Sequence, residues 1–61
     1  MKVNKFDVVE LKDGNRATII EVKNKNTYFA EIVNAYGITL EKRNISNEEI
    51  NQLIYNKDNE L

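Results

Sequence analysis

Glutamates recur at intervals of about ten residues, at Glu10, Glu21, Glu31 and Glu41. Carboxylates are the donors a hard divalent cation takes, and Glu21, Glu31 and Glu41 would form such a site if the fold made them converge. One glutamate per strand on the wet side of an antiparallel sheet needs no ligand, however, and this simpler reading is preferred. No metal site is therefore assigned. A second group is basic: Lys12, Arg16, Lys23 and Lys25, with Tyr28 and Phe29 close behind. Cations beside aromatic rings suit phosphate contact and base stacking. Yet acids are interleaved among them, and lysines at turns also keep sheet edges soluble. Nucleic-acid binding through these four residues is the alternative function.

Histidine and cysteine are both absent. That removes the usual zinc ligand sets and the imidazole or thiol of a nucleophile–base pair. Ser46 is accounted for by helix capping, as described below. The chain is read as non-catalytic, with no cofactor.

Nine basic residues against ten acidic ones give a net charge of −1, so no global field draws nucleic acid to the molecule. A chain of 61 residues makes one domain. At this size only about 60% of the unfolded surface becomes buried. Without a disulfide, stability must come from packing, from a well-paired sheet or from a partner. The opening residues Met1 to Asp7 lack the apolar run of a signal peptide. No stretch approaches the roughly 20 apolar residues that span a bilayer. The expectation is a cytoplasmic protein, a single domain over 1–61 with an ordered core over about 6–55 and a frayed tail over 56–61.

Residues 7–12 read as a first strand, and Asp13-Gly14 is a hairpin signal. A three-residue loop of Asp13, Gly14 and Asn15 sets Leu11 opposite Ala17 and Val9 opposite Ile19, which matches apolar with apolar. The β-branched run Arg16 to Lys23 is the second strand. After a loop of Asn24, Lys25 and Asn26 comes Thr27 to Val33, with Val22 set opposite Tyr28, Ile20 opposite Ala30 and Thr18 opposite Ile32. Asn34 to Gly37 is a turn, followed by a strand from Ile38 to Arg43 in which aligning Leu40 with Ile32 is attractive but brings Glu41 opposite Glu31. Ser46-Asn47-Glu48-Glu49 is a capping box. Two readings follow it: a helix from Asn47 to Tyr55, or one short turn and a closing strand over Gln52 to Tyr55.

These registers divide the apolar residues into two layers. The core layer is Val8, Ile20, Val22, Tyr28, Ala30, Ile32, Leu40, Ile45, Ile50 and Leu53. The other layer holds Val9, Leu11, Ala17, Ile19, Phe29 and Val33, interrupted by Glu21 and Glu31. An outward layer so apolar predicts a docking face: Ile19, Phe29 and Val33, ringed by Glu21 and Glu31, with Phe29 as the anchor. The partner would be another protein or a second copy of the chain, with no membrane contact.

The stretches Phe6 to Gly14, Ala17 to Val22, Tyr28 to Val33 and Gly37 to Leu40, with Ile45 and Glu48-Glu49-Ile50, resemble a family of small uncharacterised bacterial Src-homology-3-like barrel proteins with a KOW-type opening. The resemblance implies an all-β fold: a small antiparallel barrel of four to five strands closing with a short C-terminal helix or helical turn. It also implies an interaction role, as an immunity-like, antitoxin-like or inhibitor protein. One position departs from the pattern. Ala17 stands where KOW-type motifs place glycine in an RNA-contacting turn, which weighs against the nucleic-acid alternative.

Overall fold

The computed structural model describes residues 2–56. The tail expected over 56–61 therefore lies, from residue 57 onward, outside the described residues. Five antiparallel strands form one sheet in the order β4-β3-β2-β1-β5. They are β1 (Val8–Leu11), β2 (Arg16–Asn24), β3 (Thr27–Val33), β4 (Thr39–Ser46) and β5 (Ile50–Tyr55), with a 3₁₀ turn, Asn47–Glu49, between the last two. The fold is all-β.

The first hairpin has a three-residue loop, but it is Lys12, Asp13 and Gly14 in place of the expected Asp13 to Asn15. The Gly14 amide donates to the Leu11 carbonyl at 3.0 Å, and the Leu11 amide donates to the Asn15 carbonyl at 2.8 Å. Gly14 has φ +94°. This is a turn followed by a left-handed bulge residue, the position where glycine costs least. The loop sets Val9 opposite Ala17 and Glu10 opposite Arg16. A loop of Asp13 to Asn15 would have set Lys12 against Arg16; the observed register puts the oppositely charged Glu10 there instead.

The decisive departure lies in β2. Ala17 pairs with Ile32 and Ile19 with Ala30, but beyond them Glu21 pairs with Phe29 and Val22 with Tyr28. Ile20 is therefore an extra residue, a β-bulge. A second shift, between Val22 and Asn24, makes Lys23 extra as well. The Val22–Tyr28 pair is the one expected, whereas the pairings of Ile20 with Ala30 and Thr18 with Ile32 do not form. One inserted residue exchanges the faces of everything upstream of it.

The core consequently joins half of each expected layer. Val9, Leu11, Ala17 and Ile19 are buried together with Tyr28, Ala30, Ile32, Ile45 and Ile50. The β3 face follows the sequence reading. The β1 and β2 faces do not, and Val8 and Ile20 are only half-buried. Val22, expected inside, is 43% exposed, whereas Ile19, expected outside, is fully buried. Leu53 packs against the core as a partly buried neighbour.

In the β3–β4 hairpin, Glu31 faces Lys42 and Ile32 faces Glu41, with a register shift beside Val33 and Thr39. Shifting by one residue replaces the like-charge pair of Glu31 and Glu41 with an attractive one. Leu40 becomes the surplus residue and stands exposed, so it is not aligned with Ile32 and does not join the core. Of the two readings for the C-terminal segment, the turn followed by a strand is the one adopted: β5 pairs with β1 through Leu11–Ile50, Glu10–Gln52 and Val9–Leu53. A helix over these residues would have left that edge of β1 unpaired.

The N-terminal segment adds two features. Val3 is 4% exposed and belongs to the core, so the ordered core begins before residue 6. Asp7 is fully buried and organises a turn: the Asn4 amide donates to Asp7 Oδ2 at 2.9 Å, and the Asp7 amide donates to the Asn4 carbonyl at 3.1 Å. Inside that turn Phe6 has φ +73°, the left-handed region that side chains avoid. Its amide donates to the Ile19 carbonyl at 2.7 Å, which fixes this conformation against β2. At position 6 glycine should thus be better tolerated than alanine. Phe6→Gly is expected to exceed Phe6→Ala in stability by about 1 kcal/mol, the reverse of the usual order within a strand, as comparison of urea midpoints would show.

Candidate functional site

The acidic residues singled out in the sequence are each engaged separately. Glu10 Oε1 accepts from Asn51 Nδ2 at 2.8 Å and from Gln52 Nε2 at 3.1 Å. Glu21 pairs with Lys23 at 3.2 Å. Glu31 Oε2 accepts from the Thr39 hydroxyl at 2.5 Å. Glu41 lies 3.5 Å from Arg43 Nε. Register separates them further, because Glu31 shares its face with Lys42 whereas Glu41 is opposite Ile32. Glu21, Glu31 and Glu41 do not converge, and no group of three or more potential ligands forms among the described residues.

The basic residues do not gather into one patch either. Lys12 lies in the β1–β2 turn and Lys25 in the β2–β3 turn, at opposite ends of the nine-residue β2. The whole length of that strand therefore lies between the two turns. Arg16 faces Glu10. Lys23 is bound to Glu21 and lies 5.9 Å from the centroid of the Phe29 ring.

Of the expected docking face, Ile19 must be removed, because the bulge at Ile20 turns it inward. Phe29 and Val33 stay half-buried on the outer side of β3, with Phe29 between Glu21 and Asn44 and Val33 between Arg16 and Thr39. Glu31 is half-buried between them, and Glu21 is exposed. Ile20 is half-buried in the place the bulge gives it.

The more exposed apolar group lies elsewhere. Tyr36, Ile38 and Leu40 are 88, 58 and 51% exposed. They occupy the β3–β4 turn and the start of β4, which is an edge of the sheet. Asn34 fixes this turn: its Oδ1 accepts from the amides of Tyr36 at 2.9 Å and Ile38 at 3.0 Å. The backbone closes it from both sides, Gly37 donating to the Asn34 carbonyl and Asn34 to the Ile38 carbonyl, each at 3.0 Å. An asparagine that satisfies turn amides two and four residues on is ordinary turn chemistry. Its effect is that Tyr36 projects from a backbone already held in place. The sequence signal was available, since an aromatic between Asn34 and Gly37 cannot sit in a strand core. That signal competes with Ile38 and Leu40, which alternate as a buried strand would.

At the other end of β4, the Ser46 amide donates to Glu49 Oε2 at 2.9 Å, the Glu49 half of the expected capping box. Arg43 Nη1 reaches Glu49 Oε1 at 2.9 Å. The Ser46 amide foremost holds the Glu49 carboxyl below the usual carboxylate range; burial opposes it next, and the hydrogen bond and charge of Arg43 lower it further. A depressed folded-state value means that this stabilisation is present above about pH 4.5 and is lost as pH falls through the folded-state value. Wild type should therefore exceed Glu49→Gln in urea midpoint at pH 7, with the gap closing in acid. The carboxylate is well exposed, so the gap is small.

Among the described residues no helix is long and apolar enough to cross a membrane. The chain matches no protein-family model, no curated protein and no solved structure.

Proposed function

We propose that this is a non-catalytic protein-interaction module of small Src-homology-3-like form that works in the cytoplasm, and that it takes an extended segment of another protein along β4. The observation that carries the reading is the exposure of Tyr36, Ile38 and Leu40 together on a hydrogen-bonded turn and sheet edge. A rigid aromatic residue beside aliphatic ones is the composition of a binding hot spot. The eight residues of β4 contain no proline, so this edge suits added-strand recognition, in which main-chain hydrogen bonds supply affinity and neighbouring side chains supply choice. The added segment's side chains would meet those of β4 first, with Phe29, Glu31 and Val33 one strand further in on β3 and Glu21 beyond them on β2. What supports the small all-β part of this reading is the single five-stranded antiparallel sheet with one 3₁₀ turn between β4 and β5.

The test is a capture experiment with paired variants. Tyr36→Ala combined with Leu40→Asp alters exposed positions, where substitutions usually change stability by no more than about 0.5 kcal/mol. A protein held by wild type should be released from this variant, with affinity reduced roughly 30-fold or more for hot-spot losses above 2 kcal/mol. It should remain bound when Lys12, Arg16, Lys23 and Lys25 are changed to glutamate. Retention by the first variant overturns the reading. Capture of nucleic acid that is lost with the four basic residues and with rising salt would establish the alternative. Self-association abolished by the first variant would place a second copy on this edge, contrary to the proposal of a separate partner.

A further inference from the structure

An open cleft of roughly 620 Å³ lies between the N-terminal segment and the β2–β3 hairpin, at a distance in the fold from the turn that carries Tyr36. Val3 and Tyr28 form its floor, and Val22 supplies an exposed apolar wall. The rim is polar, with Asn4 and Asn24, and its charged residues are Lys2 and Lys25. No acidic side chain lines it among the described residues, although the chain as a whole carries a net charge of −1.

The walls are fixed before any ligand arrives. The Tyr28 hydroxyl donates to Asn47 Oδ1 at 2.6 Å, and Asn47 Nδ2 donates to the Lys25 carbonyl at 2.9 Å. Asn24 Oδ1 accepts from the Asn26 amide at 2.9 Å, and the Asn47 amide donates to the Asn26 carbonyl at 2.9 Å. One asparagine on the 3₁₀ turn thus ties down both the aromatic floor and the loop that bears Lys25. On the opposite side, Asn4 is held by the turn around buried Asp7. Preformed concavity, an apolar interior and a few converging polar groups are the features of a small-molecule site.

The geometry points to a site for a small amphipathic anion, an alkyl or aryl carboxylate whose apolar body lies against Val3, Val22 and Tyr28 and whose charge is met by Lys2 and Lys25. The sign follows from the lining: two ammonium groups without a carboxylate favour an anion and repel a cation of the same shape. This site uses none of the residues of the β4 edge, so either reading can fail without the other.

The experiment is an NMR titration of the isotope-labelled full chain with octanoate, with octylammonium and octanol as probes of equal length. Octanoate should give saturable shifts at the amides of Val3, Val22, Asn24, Lys25 and Tyr28, and should bind more tightly than either comparison probe. Lys2→Glu with Lys25→Glu should weaken octanoate by roughly tenfold or more and strengthen octylammonium, a reversal that general loss of structure cannot produce. Val22→Asp, at an exposed position, should abolish octanoate shifts while leaving the rest of the spectrum in place. Absence of saturable shifts at millimolar octanoate would overturn the proposal. So would shifts centred elsewhere, or octanol binding as tightly as octanoate.

Discussion

Truncation of Ile19 to alanine is expected to lower the unfolding free energy by about 3 kcal/mol, within the 2–5 kcal/mol seen when buried aliphatic side chains are cut back. The side chain is among the largest that are fully enclosed. Its backbone also holds the segment preceding β1: its amide donates to the Asp7 carbonyl at 2.9 Å and its carbonyl accepts from Phe6. A domain of this length has a total margin of roughly 3–9 kcal/mol, so this single change removes a large share of it. In thermal terms each kcal/mol is worth about 4–8 °C at this size, and calorimetry should show a fall well beyond 8 °C. Ile20→Ala supplies the control, because the two residues are adjacent and of one type. Ile20 is half-buried and surplus to the ladder, and its truncation should cost only about 1 kcal/mol on lost apolar area. Equal losses at the two positions, or a larger one at Ile20, would contradict the placement of the bulge.

The second large effect is expected at Asp7. Replacing it by alanine removes the acceptor for the Asn4 amide and the clasp that keeps the N-terminal segment on the body of the protein. A buried polar network broken by loss of one member costs about 1–3 kcal/mol. The loss should not stay local. Val3 is in the core only because the turn over Asn4 to Asp7 returns the chain to the sheet. Hydrogen exchange should therefore show the Ile19 amide, which donates to the Asp7 carbonyl, losing protection together with the N-terminal turn. In the same variant the β3–β4 hairpin should keep its protection, since its bonds do not pass through Asp7. Asp7→Asn retains an acceptor and should restore a substantial part of the stability. If Asp7→Ala is neutral, the turn is not what holds Val3.

The strand runs, the length though not the position of the first loop, the capping-box pattern at Ser46 and the all-β class follow from turn chemistry and β-branched content, which are local. The inward set on β3, with Tyr28, Ala30 and Ile32, was legible because that strand is an unbroken alternation. β2 was not, for a physical reason: its apolar residues Ile19, Ile20 and Val22 contain two adjacent isoleucines, and either can be the one turned inward. The choice depends on where an unpaired residue is inserted, and insertion is set by partners on both flanks at once. The buried carboxylate was illegible for a similar reason. Asp7 reads as the polar first residue of a strand until the turn from Asn4 brings an amide donor to its carboxylate. Among the residues of the expected docking face, Phe29 and Val33 are half-buried on the outer side of β3, whereas Ile19, subject to the same ambiguity, is turned inward. Tyr36 is signalled by its place between Asn34 and Gly37, whereas the Lys2–Lys25 cleft emerges only when the N-terminal segment and the β2–β3 turn are assembled in space.

Nine residues of the second strand run alongside seven of the third. The longer arm is like the outer lane of a curved track, and the two spare steps are what let it round the bend. Length here is consequently as tightly constrained as chemistry. Deleting Ile20 alone would force a choice between turning Ala17 and Ile19 to the outside and turning Tyr28, Ala30 and Ile32 there instead. Point substitutions elsewhere would not undo that, because the fault is in the counting.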